Sequence, residues 1–304
     1  VPLPRKATPE LLRVPGRLAG AVQQAIGILD DVDADAVVGF GGYVSLPVYL
    51  AALARRVPVV LHEQNAVPGL ANKIAARFAK VVAVSFPKTP LPHARFVGLP
   101  VRAAITDLDP VADRAAAREA LGFGSDRPLL LVSGGSQGAV AINKATEAAR
   151  AELLAAGVDI LHVLGPKNLT DAHTTIEDPG TGARYVPVGY VDAMEQAYAA
   201  ADLMVGRSGA GTVVETATVG LPVVFVPLPH GNGEQARNAD FIVEADAGVV
   251  VPNSEFDGPR LLAEALPLLT DPQRLTGMRE RLAGLVPRDA AADLARLVLE
   301  QAGA

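Results

Sequence analysis

The sequence predicts an α/β protein made of doubly wound parallel sheets, and three observations carry that prediction. Short apolar runs alternate with Ala- and Leu-rich stretches of helical length almost from end to end. The runs are continuously apolar, the pattern of strands buried on both faces under flanking helices. Several of them break off in glycines or polar residues, as strands do when their carboxyl ends open toward a ligand.

In chain order the strand runs are "DAVVG", "PVVLH", "KVVAVSF" and "RFVG", then "PLLLVSGG", "DILHVLG", "ADLMVG", "PVVFVP" and "AGVVV". Between them, residues 43–56, 68–79, 138–155, 209–219 and 233–246 have the length and composition of helices. The rhythm is interrupted over 99–127, where Pro, charge and a polar helix mark the crossing between two domains. We expect a first domain over 1–101, with about three strands, and a second over 102–288. After 258 the pattern is helical, and the segment 289–304 is expected to pack back on the first domain. The first domain is thin for such a sheet. Together with a start at Val1, this leads us to expect that its opening βα units are missing.

The totals narrow the function classes. A length of 304 residues suits about two domains. No run of roughly 18 apolar residues occurs, so no membrane-spanning helix is expected. A formal charge of −6 argues against nucleic acid as a partner, because binding it needs clustered Lys and Arg. The chain has no cysteine, which removes disulfides, thiolate catalysis and Cys-based zinc sites and fits a cytoplasmic protein.

Four stretches at strand ends hold the candidate chemistry. "LLLVSGGSQGAVAIN" runs a strand through Gly134, Gly135, Ser136 and Gly138 into a helix, so that backbone N–H groups and a hydroxyl cradle a phosphate. It matches neither G-x-G-x-x-G nor a Lys-bearing P-loop, and no acid ends the next strand, which disfavours a nicotinamide dinucleotide. "RSGAGTVVE" places a second loop before a helix that carries Glu215 in its second turn, where a carboxylate suits the two hydroxyls of a ribose. The alternative is a Glu placed there by the helix dipole alone. "VPLPHGNGEQARNAD" ends a strand in His230 and starts a helix with Glu234 and Gln235, which either read sugar hydroxyls or cap the helix. In the first domain, Gly41 and Gly42 of "GFGGYVSLP" admit a ligand close to the backbone. His62, Glu63 and Asn65 of "LHEQNAVPG" are either ligand contacts or a satisfied buried network. "DDVDAD" precedes a strand and is read as a solvated loop, and no histidine shows metal-ligand spacing.

The start of the chain sets Arg5, Lys6, Arg13 and Arg17 among Leu11, Leu12, Val14 and Leu18. Such a cationic and apolar face suits a membrane surface. An amphipathic core helix is the other reading, and Pro9 and Pro15 are expected to limit a continuous helix.

Taken together, "GFGGYVSLP", "VPVVLHEQNAVPGLANK", "VGLPVR", "LLLVSGGSQGA", "RSGAGTVVE", "GLPVVFVPLP" and "GEQARNA", in this order, resemble the MurG family of glycosyltransferase family 28. The resemblance implies a GT-B fold and transfer of N-acetylglucosamine from UDP-N-acetylglucosamine (UDP-GlcNAc) to a muramyl-pentapeptide diphosphoryl-undecaprenol lipid. It implies inversion at the sugar carbon, no metal site and no separate cofactor, at the cytoplasmic face of the membrane. Ser136 and Arg102 would serve the diphosphate and the Val191 backbone the uracil. Ala210, Gly211, Thr212, Val213, Val214 and Glu215 would hold sugar and ribose, with Gln235 and Asn65 on N-acetylglucosamine. Gly41, Gly42 and Tyr43 would lie on the acceptor side, and the basic-apolar start on the membrane. The family's first Gly-rich loop, which ends in a His, is absent here, and Leu99 stands where many relatives have Asn. For the base, His62, Glu63 and His230 are the loop-end candidates. Another GT-B transferase, or a UDP-sugar-binding fragment without turnover, stays open.

Overall fold

A computed structural model describes residues 14–229 and 233–303. The chain divides into two compact units, Val1–Pro100 with Asp289–Ala304, and Val101–Arg288.

Among the described residues the first unit begins with α1 (Val14–Asp31). Pro15, which the sequence pattern expected to limit a continuous helix, lies within α1. Ala25 and Leu29 of α1 are buried, and α1 packs on α2 (Ser45–Arg55). Four parallel strands follow the order β1 (Val37–Gly39), β2 (Val59–Glu63), β3 (Val81–Val84) and β4 (Ala94–Phe96), one for each of the four apolar runs of this domain, with α3 (Leu70–Ala75) between β2 and β3. Val59 and Leu61 pack with Tyr49, Ala51 and Ala75 on one face. Val60, Val81 and Ala83 pack on the other with Leu294. Leu294 belongs to the last helix, α13 (Ala290–Ala302), which thus covers the sheet of this unit.

The second unit begins with two short helices, α4 (Ala103–Thr106) and α5 (Arg114–Ala120). Then come β5 (Leu129–Ser133), α6 (Val140–Ala155), β6 (Asp159–Val163), β7 (Ile176–Glu177), β8 (Arg184–Val188) and α7 (Met194–Ala200). Next are β9 (Leu203–Gly206), α8 (Ala210–Val219), β10 (Val223–Phe225), α9 (Glu234–Asn238), α10 (Asp240–Glu244) and β11 (Gly248–Val250). The unit closes with α11 (Gly258–Leu269) and α12 (Pro272–Leu282). The segment 233–246, expected as one helix, is two short ones meeting at Ala239.

The sheet order is β11-β10-β9-β5-β6-β8-β7, parallel except for the β7–β8 pair. The strands β7 and β8 have no counterpart in the sequence pattern. β7 is two residues long, and β8 carries Pro187, which lies beyond the part of β8 that β7 pairs. From β5 the chain moves outward to β6 and β8, then returns to β9 on the other side of β5. The loops after β5 and β9 therefore diverge from one point at the carboxyl edge, the position where doubly wound sheets bind ligands.

Candidate functional site

The loop after β5 is shaped by close chain packing on one side and open space on the other. Gly138 has φ +72°, and a Cβ there would meet the Leu164 carbonyl oxygen at 2.0 Å. Gly135 also has positive φ (+85°), but a Cβ there would meet nothing within 4 Å. The loop is thus pressed against the β6 end at Gly138 and turned outward at Gly135, Ser136 and Gln137, which are exposed. The Gly138 N–H donates to the Gly135 carbonyl at 2.9 Å. Asn168 Nδ2 donates to the carbonyls of Gln137 (3.2 Å) and Leu164 (2.9 Å), pinning the loop from a residue that carried no signal in the sequence. Behind the loop stands the N-terminus of the 16-residue α6, whose dipole and free N–H groups favour an anion.

Beside it, α8 starts at Ala210 after Gly209 in extended conformation. Arg207, from the same loop, is committed elsewhere: its Nη1 donates to Val226 O, Pro227 O and Asn253 Oδ1. Ser208 is buried and donates from Oγ to the Gln235 carbonyl at 2.7 Å. Within Ala210–Glu215, Val213 and Val214 are fully buried, so any ligand contact there falls to backbone. Thr212 and Glu215 are three residues apart and share one helix face.

Gly135, Ser136, Val191, Tyr198 and Thr212 line one cavity of about 130 Å³ at this edge of the sheet. Tyr198, from α7, donates its hydroxyl proton to Glu215 Oε2 at 2.9 Å. Burial above all, and then the Glu215 charge, push the phenol well above its ordinary range, so it stays a donor. The charge of Arg102 also acts on Tyr198, which brings Arg102 to this same neighbourhood. Tyr198 sits in "AYAAAD", an unremarkable helical stretch, and nothing in the sequence singles it out.

Gln235 uses its Oε1 to accept from the Leu228 N–H at 3.0 Å. It thereby ties Leu228 to α9 and does not cap the helix, which has no side-chain cap, and its amide NH2 is the group left to consider for a sugar. His230 lies outside the described residues, as do Arg5, Lys6, Leu11, Leu12 and Arg13. Arg17 is exposed on α1.

In the first unit the buried-network reading describes the geometry of "HEQN". Glu63 is 4% exposed, and its carboxylate accepts from the N–H groups of Asn65 and Gly69, each at 3.0 Å, and from Asn72 Nδ2 at 2.8 Å. Asn72 Oδ1 accepts from the Tyr49 hydroxyl, which in turn accepts from the Gly41 N–H at 3.2 Å. One chain of hydrogen bonds therefore fixes both loops that the sequence singled out in this unit. His62 is fully buried, and its Nε2 lies 2.8 Å from the Gly98 carbonyl, which assigns the ring proton to Nε2. Desolvation lowers its pKa, and Nδ1 is buried without a hydrogen-bond partner. Neither His62 nor Glu63 presents a lone pair to a substrate in this arrangement. Asn65 is half-buried at the loop, and Tyr43, beside Gly41 and Gly42, is exposed.

The glycosyltransferase family 28 C-terminal domain matches residues 129–294, and the family 28 N-terminal domain matches residues 1–84. The chain belongs to glycosyltransferase family 28. A relative from Cutibacterium acnes, a UDP-N-acetylglucosamine--N-acetylmuramyl-(pentapeptide) pyrophosphoryl-undecaprenol N-acetylglucosamine transferase, is 61% identical over 99% of this chain and 82% of its own length. Its namesake from Nocardioides sp. is 51% identical over the same shares. The crystal structure of Acinetobacter baumannii MurG superposes with a TM-score of 0.76 at 29% identity, covering 94% of this chain and 79% of that one. The two parallel-sheet α/β domains are thus those of the GT-B fold. In this family 28 chain, the loops after β5 and β9, Val191 and Glu215 all fall within the C-terminal family match, and the Glu63 network within the N-terminal one.

Proposed function

We propose that this family 28 chain transfers N-acetylglucosamine from UDP-GlcNAc to the muramyl-pentapeptide diphosphoryl-undecaprenol lipid, the MurG step from lipid I to lipid II, and that it holds the donor nucleotide at the switch point of the second unit. One observation carries the placement. Gly135 and Ser136 of the outward loop, Val191, and Thr212 of the first turn of α8 line one cavity at the edge of the sheet, and Tyr198 in the same lining donates to the Glu215 carboxylate.

The chemistry follows from charge. An acceptor hydroxyl attacks the anomeric carbon as the bond to the UDP oxygen breaks, so negative charge grows on the diphosphate. Backbone N–H groups of the Ser136 loop, the two helix N-termini and the Arg102 guanidinium oppose that charge where it develops. Glu215 accepts from the ribose hydroxyls, the Val191 backbone reads the uracil, and Gln235 and Asn65 are proposed contacts to N-acetylglucosamine. The hydroxyl proton needs a base within hydrogen-bond reach. With His62 and Glu63 both withdrawn from solvent, His230 is the remaining candidate named from the sequence.

Among the described residues no helix is long and apolar enough to cross a membrane. The undecaprenyl acceptor resides in a bilayer, so the chain is proposed to work at the cytoplasmic membrane face, with residues 5–17 as the contact and Gly41, Gly42 and Tyr43 on the acceptor side.

Calorimetric titration with UDP-GlcNAc, UDP-glucose and NADH, paired with a transfer assay on a lipid-linked acceptor, tests the proposal. Selective binding of UDP-GlcNAc, lost in Glu215→Ala, together with product formation, is expected. Preference for NADH, or binding untouched by Glu215→Ala, overturns the site. Binding without product supports a UDP-sugar-binding fragment.

A further inference from the structure

We infer that Tyr198 is a positioning residue for the donor nucleotide: its hydroxyl holds the Glu215 carboxylate in the orientation that receives the ribose diol. The inference rests on the reading of Glu215 given above.

The two residues come from different helices, 17 positions apart, and meet at 2.9 Å. Tyr198 is 4% exposed, whereas Glu215 is half-buried. A glutamate in that setting has three rotatable bonds and is expensive to order when a ligand arrives. A directional hydrogen bond from a buried ring fixes the carboxylate.

The hydrogen-bond inventory fits as well. A carboxylate offers about four lone-pair directions. Tyr198 takes one on Oε2, which leaves acceptors enough for two vicinal hydroxyls. The phenol gains nothing by ionising next to a carboxylate, so it acts as donor only, and the carboxylate as acceptor only. The ribose hydroxyls, as donors, meet a pre-set acceptor. Ordering the side chain before the ligand arrives lowers the entropy lost on binding.

A structural role alone would have Tyr198 support α7 and α8 without regard to what binds. The two roles differ in their dependence on the ribose hydroxyls. We would titrate UDP and 2′-deoxy-UDP into the wild-type chain, Tyr198→Phe, Glu215→Ala and the double variant, with thermal melts of each. The wild type is expected to prefer UDP. Tyr198→Phe is expected to weaken UDP about three- to tenfold while changing 2′-deoxy-UDP far less, and to add no further loss in the Glu215→Ala background. In turnover, the KM for UDP-GlcNAc rises by the same factor and kcat stays within about twofold.

If Tyr198→Phe weakens both ligands equally, or leaves both unchanged, while Glu215→Ala abolishes the preference, the positioning role is overturned and the ribose reading stands. If Glu215→Ala keeps the preference for UDP, the ribose reading itself fails, and the role of Tyr198 with it. Should Tyr198→Phe lose its cooperative melt, Tyr198→Met, an adaptable filler that also lacks the donor, is measured by the same criteria.

Discussion

Asn72 donates from Nδ2 to Glu63 Oε2 at 2.8 Å, with the two residues 1% and 4% exposed. This bond connects the turn after β2 to Tyr49 and, through it, to Gly41. Glu63→Ala would leave two backbone N–H groups and the Asn72 amide without their acceptor. We expect a loss of about 3 kcal/mol, read from urea unfolding of the variant. Glu63→Gln, which retains one acceptor oxygen, is expected to lose roughly half as much.

A second buried centre is predicted to matter more for stability than for binding. Asp202 accepts from Arg114 (2.6 Å), Arg118 (2.7 Å) and Arg279 (3.1 Å), and from the Leu129 N–H at 2.9 Å. Arg118 is only 2% exposed, so Asp202→Ala leaves a buried guanidinium uncompensated and should cost about 3–5 kcal/mol. Arg279, at 38% exposed, makes a solvent-screened contact, and Arg279→Ala should cost less than about 1 kcal/mol. Denaturant midpoints of the two variants check the contrast.

The two kinds of residue in the β5 loop are expected to separate stability from affinity. Gly138→Ala forces a Cβ onto the Leu164 carbonyl at a positive φ and should lower stability by more than about 2 kcal/mol, with a fall in Tm. Ser136→Ala, on the exposed tip, should leave Tm unchanged and weaken UDP about tenfold by removing one hydrogen bond to a charged group. Melts and calorimetry on the same preparations read both effects.

His162 supplies the pH prediction. Its Nδ1 lies 3.0 Å from the Tyr185 hydroxyl and its Nε2 3.2 Å from Asn143 Oδ1, and burial lowers its pKa to about 3. Because the folded value lies below the unfolded value of about 6.5, the unfolded chain takes up a proton that the native one does not. The stability contribution is present above pH 6.5 and is lost as pH falls from there toward 3, at about 1.4 kcal/mol per pH unit. His162→Gln should flatten that part of the profile when unfolding free energy is measured from pH 7 to pH 5.

Pattern alone was enough for the α/β class, because a doubly wound sheet requires continuously apolar strands and helices between them, and both are local properties of the chain. Val59 to Leu61 and Leu129 to Val132 read as buried strands from their unbroken apolar composition, and "SGGSQG" and "RSGAGTVVE" read as ligand loops because their glycines and polar residues interrupt such strands. The short β7 and the Pro-containing β8 have no such signature, since two residues carry no periodicity and a proline argues against a strand unless its neighbours are known. Only the tertiary structure decided the rest. Glu63 reads in sequence as a candidate base, but burial and three donors give it the work of an anchor. Gln235 reads as a sugar contact, and the chain around it turns its carbonyl oxygen inward to a backbone N–H. Tyr198 had no sequence signal at all, because its partner Glu215 lies 17 residues away on another helix. Which side chain meets which is set by the packing of elements distant in sequence, and local composition does not encode it.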